Sequence, residues 1–119
     1  MAWTHEQELA IHESGTNIIV SAGAGSGKTA VLSARVGEKI QQGIHIDELL
    51  ILTFTNAAAG EMKERIKKKI KELNIPDELD RLESSYITTF DSFALSIVKK
   101  YHYLLNIPRD VTITDSSIL

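Results

Sequence analysis

Residues 21–29 read Ser-Ala-Gly-Ala-Gly-Ser-Gly-Lys-Thr, and they directly follow the apolar run Asn-Ile-Ile-Val at 17–20. The apolar run predicts a buried parallel strand near residues 17–21, and the residues from Lys28 onward predict a helix. A glycine-rich turn between a strand and a helix directs several backbone N–H groups at one point, at the positive end of the helix dipole. The stretch therefore predicts a phosphate-binding loop.

The spacing of the small residues, the lysine and the threonine narrows this prediction. Ala22 through Thr29 follows the P-loop pattern, with alanine in place of the usual first glycine. In that pattern Lys28 reaches the β- and γ-phosphates of ATP, and the Thr29 hydroxyl ligates Mg²⁺. A flexible surface loop is the alternative, which the Lys-Thr pair between a strand and a helix disfavours. ATP and Mg²⁺ are the predicted cofactors.

Composition limits the class of protein. The 119 residues carry a net charge of −3, no cysteine and 43% apolar residues, which indicates one domain at most, without disulfides. No apolar run approaches the roughly 18 residues that cross a bilayer, and no signal peptide precedes the first motif. A cytoplasmic protein without membrane contact is therefore expected. The charge disfavours a globally basic DNA-coating protein, although a local basic face suffices for nucleic acid.

Apolar periodicity and turn residues predict alternating helices and strands along the rest of the chain. The predicted elements are a helix capped by Thr4 to about residue 12, a helix from 28 to about 42 closed by Gly43, a strand at 49–54, a helix capped by Thr55 or Asn56, a short helix from Pro76, a strand at 86–89, a helix along 93–105 and a short strand at 111–114. This alternation predicts an α/β fold with a parallel sheet.

An NTPase of this type also needs an acidic residue at the end of another buried strand. Asp47 is the nearest candidate, but the apolar run before it is short and interrupted by His45. Asp47 is therefore predicted to be a turn or cap residue. The chain is expected to be a truncated piece of a larger protein.

Three stretches carry a resemblance to a known family. Residues 52–62, Leu-Thr-Phe-Thr-Asn-Ala-Ala-Ala-Gly-Glu-Met, resemble motif Ia of the UvrD-like superfamily-one DNA helicases. Residues 88–93, Thr-Thr-Phe-Asp-Ser-Phe, resemble the next motif, Ib, and residues 3–7 match the N-terminal Q motif. Within the family, Ala30 and residues 98–105 are similar to AddA-type subunits of helicase–nucleases, with UvrD or PcrA types as the alternative.

The resemblance implies that residues 1–119 are a partial RecA-like P-loop NTPase domain, without the Walker B acid or the second motor domain. It implies an ATP-dependent DNA helicase that translocates on single-stranded DNA and unwinds duplex DNA, beside a helicase or nuclease partner subunit. The isolated chain is expected to lack turnover. The alternative is a module that binds nucleotide or single-stranded DNA without hydrolysis.

The resemblance also assigns roles to residues. The ATP-binding residues would be Gln7, Ala22, Gly23, Ala24, Gly25, Ser26, Gly27, Lys28 and Thr29, with Lys28 as the catalytic residue. The residues along single-stranded DNA would be Phe54, Thr55, Asn56 and Thr89. Structural alternatives remain open: Gln7 completes a capping box with Thr4, Phe54 continues a buried strand, and Asn56 caps a helix. Asp91 is predicted to cap a helix, since a carboxylate repels phosphate.

Two further groups of residues have a structural interpretation. Residues 63–71 contain six basic side chains and one acid, a run typical of a solvated helix face, with contact to duplex DNA or the phosphate backbone as the alternative. The four histidines show no ligand-like spacing with acidic partners, and no metal is predicted at them. Tyr101 is placed on an apolar helix stripe, and Tyr103 is expected to be partly exposed.

Overall fold

The computed structural model describes residues 2–23 and 27–113, and most of the predicted elements are present in it. The helices are α1 (His5–His12), α2 (Lys28–Gln41), α3 (Asn56–Glu72), α4 (Pro76–Leu82) and α5 (Phe90–Lys100), and the strands are β1 (Leu50–Thr53) and β2 (Tyr86–Thr89). Short 3₁₀ turns occupy Ile46–Glu48 and His102–Leu104. No helix in the described part of the chain is both long and apolar enough to span a bilayer.

The two strands form a parallel pair, which confirms the predicted α/β class with a parallel sheet. Leu50 lies opposite Tyr86 and Thr53 lies opposite Thr89, so the strands start and end together. Helices α3 and α4 form the connection between them, as parallel strands require. Because both strands end at the same edge, the residues that follow them, Phe54 and Phe90, are brought side by side.

The core lies between α2, α3, α4 and the sheet. Its buried side chains are Val36, Ile40, Ile46, Ile51, Met62, Ile66, Ile70 and Leu82. Val36 and Ile40 of α2 and Met62, Ile66 and Ile70 of α3 recur every fourth residue and belong to this cluster. Burying a side chain of this size contributes about 1.5–3 kcal/mol, so this cluster contributes substantially to stability.

Local side-chain caps fix the ends of the helices. Thr55 Oγ1 accepts from the Ala58 N–H at 3.0 Å, so Thr55 rather than Asn56 caps α3. Thr89 Oγ1 accepts from the Ser92 N–H at 3.1 Å and caps α5. The predicted cap at Asp91 is therefore wrong: Asp91 lies in the first turn of α5, where a carboxylate favours the positive end of the helix dipole.

Gly43 ends α2 as predicted. Its φ of +97° places it in the left-handed region, where a residue with a Cβ is strained. The Gly43 N–H donates to Ile40 O and the Ile44 N–H donates to Lys39 O, the two bonds of a Schellman motif.

The strand predicted at 17–21 is not formed. Residues 17–21 have no regular secondary structure, and the side chain of Ile19 is 96% exposed. A parallel strand is stable only beside a hydrogen-bonded neighbour, and in the described residues β1 and β2 pair only with each other. The apolar pattern indicated a strand but carried no information on its partner.

The predictions for the last quarter of the chain also differ from the structure. Helix α5 ends at Lys100 rather than near residue 105, and none of its side chains is buried. The chain then turns on itself, with His102 Nδ1 3.1 Å from Ile107 O and the Ile107 N–H donating to His102 O. Tyr101 is 41% exposed instead of lying in a buried stripe. Residues 111–113 form no strand, and Thr114 lies outside the described residues.

A buried carboxylate ties α4 to the turn before β1. Glu78 is 2% exposed, and it accepts from the Ile46 N–H at 2.9 Å and from Arg81 Nη1 at 2.8 Å, with His45 Nδ1 at 2.7 Å. Burial raises the pKa of Glu78, but the hydrogen bonds from Ile46, His45 and Arg81 outweigh it and hold the pKa below its ordinary value. Asp47 lies in this turn, as predicted.

Candidate functional site

The predicted phosphate-binding loop lies between residues 17–23, which have no regular secondary structure, and α2. Gly27 has a φ of +82° and directly precedes the first residue of the helix, Lys28. Lys28 Nζ donates to Ala22 O at 3.3 Å, so the ammonium group lies beside the start of the predicted loop. Ala24, Gly25 and Ser26 lie outside the described residues, and their predicted phosphate contacts stay predictions.

Thr29 is the residue predicted to ligate Mg²⁺. It is half-buried in the first turn of α2, next to Lys28, and no described group forms a hydrogen bond with its hydroxyl. An uncommitted hydroxyl at a helix N-terminus fits a magnesium ligand that acts together with phosphate oxygens. Among the described residues, no cluster of three or more His, Asp or Glu side chains is placed to hold a metal.

A cavity of about 680 Å³ opens beside the loop, between α1 and α2. Its walls include the side chains of Val20, Val31 and Leu32 and the loop residues Ala22 and Gly23. Apolar walls next to a phosphate-binding loop have the composition that suits a planar base attached to a triphosphate.

Gln7 belongs to the capping box of α1 and also lies beside Gly27, at the end of the predicted phosphate-binding loop. Its Oε1 accepts from the Thr4 N–H at 2.9 Å, and its own N–H donates to Thr4 Oγ1 at 3.2 Å, so the capping box is present. A Cβ on Gly27 would lie 3.4 Å from Gln7 Nε2. Gln7 Nε2 thus faces Gly27 while Gln7 Oε1 caps the helix. The helix cap and the predicted contact with ATP are therefore compatible roles for Gln7.

Two side chains of α2, Arg35 and Glu38, form polar contacts with α1. Both contacts join residues more than 20 positions apart, so local sequence patterns do not predict them. Arg35 Nη1 donates to Glu13 O at 2.7 Å, Ala10 O at 3.0 Å and Ile11 O at 3.4 Å, which are the last carbonyls of α1 and its C-cap. His12 lies 2.9 Å from Glu8 and also contacts Glu38 of α2.

A second candidate site lies at the sheet edge where β1 and β2 end. Phe54 is 93% exposed and Phe90 is 52% exposed, with ring centroids 5.7 Å apart and planes inclined by 33°. The core alternative for Phe54 is therefore wrong. The sequence reasoning considered Thr89 and Asp91 but not Phe90, although a Thr-Phe pair ends each strand and could have revealed it.

The polar residues predicted along this edge have different environments. Asn56 is exposed as the first residue of α3. The hydroxyl groups of Thr55 and Thr89 each cap a helix, and Thr89 is 6% exposed. Thr89 therefore supports the position of Phe90 rather than presenting its side chain to solvent.

Comparison with known proteins identifies the family. Residues 3–118 match the model of the UvrD/REP helicase N-terminal domain. The chain belongs to the UvrD/REP helicase family. The resemblance predicted from residues 3–7, 52–62 and 88–93 is thereby confirmed.

Within the UvrD/REP family, the chain is similar to one group of proteins in particular, the AddA subunits of ATP-dependent helicase/nucleases. It is 47% identical to the AddA protein of Ligilactobacillus salivarius, over 88% of this chain and 9% of the relative. The AddA proteins of Lactobacillus gasseri and Alkaliphilus metalliredigens are 45% and 42% identical, over 97% and 98% of this chain. The chain spans about a tenth of the length of these curated relatives. The predicted similarity to helicase–nuclease subunits is confirmed.

The basic run of this UvrD/REP chain lies on α3, as predicted for a solvated face. Lys67, Lys68 and Lys71 are exposed, and Arg65 forms an ion pair with Glu61 at 3.3 Å. The stem of Lys69 instead crosses α2, where a Cβ on Gly37 would lie 2.9 Å from its Cγ.

The contacts of His12 with Glu8 and Glu38 make the attachment of α1 to α2 dependent on pH. The hydrogen bond to Glu38, with a further contribution from Glu8, raises the pKa of His12 above 6.5. A raised pKa stabilises the folded state fully below pH 6.5, and this contribution disappears as the pH rises through the folded-state pKa.

We therefore expect the Tm of the wild-type chain to decrease slightly from pH 5.5 to 8.5, and His12→Gln to flatten this dependence. Differential scanning calorimetry across the range measures it. His5→Gln is the matched control, because His5 lies on the same helix without an acidic partner among the described residues. An unchanged slope in H12Q would contradict the assignment.

Proposed function

We propose that residues 1–119 are the ATP-binding part of a RecA-like motor domain in an ATP-dependent DNA helicase. The whole protein would translocate on single-stranded DNA, unwind duplex DNA in the cytoplasm and act beside a partner subunit of a helicase–nuclease. The observation that carries this proposal is the exposed Phe54–Phe90 pair, which lies at a strand edge in the same small fold as a P-loop. Membership of the UvrD/REP family and similarity to AddA proteins support it.

At the nucleotide site, Lys28 and the N-terminus of α2 would hold the phosphate groups. The helix dipole and the Lys28 ammonium both favour the negative charge that develops on the γ-phosphate during transfer. The contact of the Lys28 ammonium with Ala22 O, at the start of the loop, supports this role. Bound Mg²⁺ would neutralise phosphate charge, with the Thr29 hydroxyl as one ligand.

At the DNA site, the Phe54 and Phe90 rings would support bases and the exposed Asn56 would contact the sugar–phosphate backbone. Stacking on aromatic rings contributes about 1–3 kcal/mol per base and is independent of base identity, as a translocating motor requires. Thr55 and Thr89 would act by fixing the helices that begin beside the two rings. The basic face of α3, which begins at the same edge, would lie toward duplex DNA.

The second candidate function is a nucleotide- and DNA-binding module without turnover. One observation favours this function for the isolated chain. Among the described residues that line the cavity, the basic ones are Lys28 and Arg35, and Arg35 already donates to three backbone carbonyls. Phosphoryl transfer needs several positive groups around the γ-phosphate.

The test is ATP hydrolysis measured with and without a poly-dT oligonucleotide, for the 119-residue chain and for the whole helicase. We expect stimulation by single-stranded DNA in the whole helicase, and ATP binding without stimulated hydrolysis in the chain. Failure of the whole helicase to respond to poly-dT would overturn the proposed function. Stimulated turnover by the chain would overturn the view that it is only a binding module.

A further inference from the structure

Helix α1 has few apolar contacts to hold it in place. Of its eight residues only Ala10 and Ile11 are buried, and Leu9 is 48% exposed. A helix of two turns is not stable by itself in water, so its position must come from tertiary contacts. Gln7, the residue of α1 that faces the phosphate loop, therefore depends on whatever fixes the helix against α2.

Arg35 supplies three of these contacts, in addition to the one between His12 and Glu38. Its Nη1 atom lies within hydrogen-bond distance of the carbonyl oxygens of Ala10, Ile11 and Glu13, at the end of α1 that is opposite the capping box. A cation at a helix C-terminus pairs with unsatisfied carbonyls and with the negative end of the dipole. Arg35 comes from the second turn of α2, the helix that begins at the phosphate loop.

The two ends of α1 are thus held by different groups, with Gln7 between them. At the N-terminus the Thr4 capping box fixes Gln7 Oε1, which directs Nε2 toward Gly27. At the C-terminus Arg35 fixes the distance between α1 and α2, and this distance sets the width of the apolar cavity that Gln7, Leu32 and Arg35 line.

We propose that Arg35 is a positioning residue for recognition of the nucleotide base, acting through Gln7. Arg35 holds α1 at the spacing at which the Gln7 carboxamide reads the edge of an adenine in the cavity. This inference rests on the proposed function, since it requires that the loop hold a triphosphate. It predicts that Arg35 affects the choice between bases and leaves phosphate affinity unchanged.

The experiment measures the affinities of the whole helicase for ATP, GTP and inorganic tripolyphosphate by competition against a fluorescent ATP analogue. We expect Arg35→Gln to weaken ATP binding about tenfold, the order expected for the loss of one well-placed polar contact. Binding of GTP and tripolyphosphate should change less than twofold. Gln7→Ala should give the same pattern, and the double variant should lose no more than either single variant, because coupled residues are not additive.

Arg35→Lys should restore part of the ATP preference, since an ammonium still donates to one or two of the carbonyls. Arg109→Gln is the matched control, because Arg109 is an exposed arginine beyond α5 and does not line the cavity. Equal losses of ATP and tripolyphosphate affinity in R35Q would overturn the inference and indicate a purely structural role, and so would an unchanged ratio of ATP to GTP affinity. A wild-type protein that binds ATP no better than its Lys28→Ala variant would instead overturn the proposed function.

Discussion

Replacing Lys28 with alanine is expected to lower kcat/KM for ATP hydrolysis by the whole helicase by on the order of a hundred- to a thousandfold. The Lys28 ammonium lies 3.3 Å from Ala22 O, at the start of the loop where the β- and γ-phosphates would bind. Removing one preorganised charge from the group that stabilises a transition state typically costs this much. Steady-state hydrolysis in the presence of saturating poly-dT measures the effect.

The fold should survive this substitution. Lys28 is exposed, and surface substitutions change the free energy of unfolding by about 0.5 kcal/mol or less. Lys39→Ala is the matched control, since it removes a lysine from the last turn of the same helix α2. Hydrolysis that falls less than tenfold in K28A would contradict the assigned role, and so would an equal loss in K39A.

Replacing Phe54 or Phe90 with alanine is expected to weaken binding of single-stranded DNA by roughly five- to a hundredfold. Each ring offers a face to one base, and a base stacked on an aromatic side chain contributes about 1–3 kcal/mol, where about 1.4 kcal/mol corresponds to a tenfold change in Kd. Fluorescence anisotropy with a labelled oligo-dT at fixed salt measures it. The salt concentration must be held constant because phosphate contacts make affinity strongly dependent on it.

The two phenylalanines should also be coupled, because their centroids are 5.7 Å apart. In a double-mutant cycle we expect the combined loss to differ from the sum of the single losses by about 0.5 kcal/mol or more. Tyr103→Ala is the matched control, since Tyr103 is 61% exposed but follows α5 at its other end. Additive effects would contradict a shared platform, and an F54A variant that binds oligo-dT as tightly as wild type would contradict the site.

Much of the fold follows from contacts within a few residues, and these were predictable. Thr4 and Gln7, three residues apart, form the reciprocal hydrogen bonds of a capping box, and Gly43 ends α2 through its left-handed conformation. The strand at 86–89 and the helix that starts at Pro76 were also predicted within a residue. In each case the determining interaction lies between sequence neighbours, where a residue type and its spacing are sufficient.

The features that were not predictable depend on groups far apart in the chain. Arg35 lies 22–25 residues from the carbonyls that it binds, and Glu78 lies 32 residues from Ile46. The strand predicted at 17–21 needs a neighbour that no local pattern specifies. Phe54 is exposed at the edge where β1 and β2 end together. That common end depends on the register that pairs Thr53 with Thr89, and the sequence alone does not specify this register.

The missing side chain at Gly37 lets α2 and α3 lie close enough for the stem of Lys69 to cross between them. One of these helices starts at the proposed ATP site and the other starts directly after Phe54. The contact between Gly37 and Lys69 therefore joins the helix that begins at the proposed ATP site to the helix that begins at the proposed DNA site. A methyl group at residue 37 would lie 2.9 Å from Lys69 Cγ and would displace that side chain, while leaving the chemical groups of both sites unaltered.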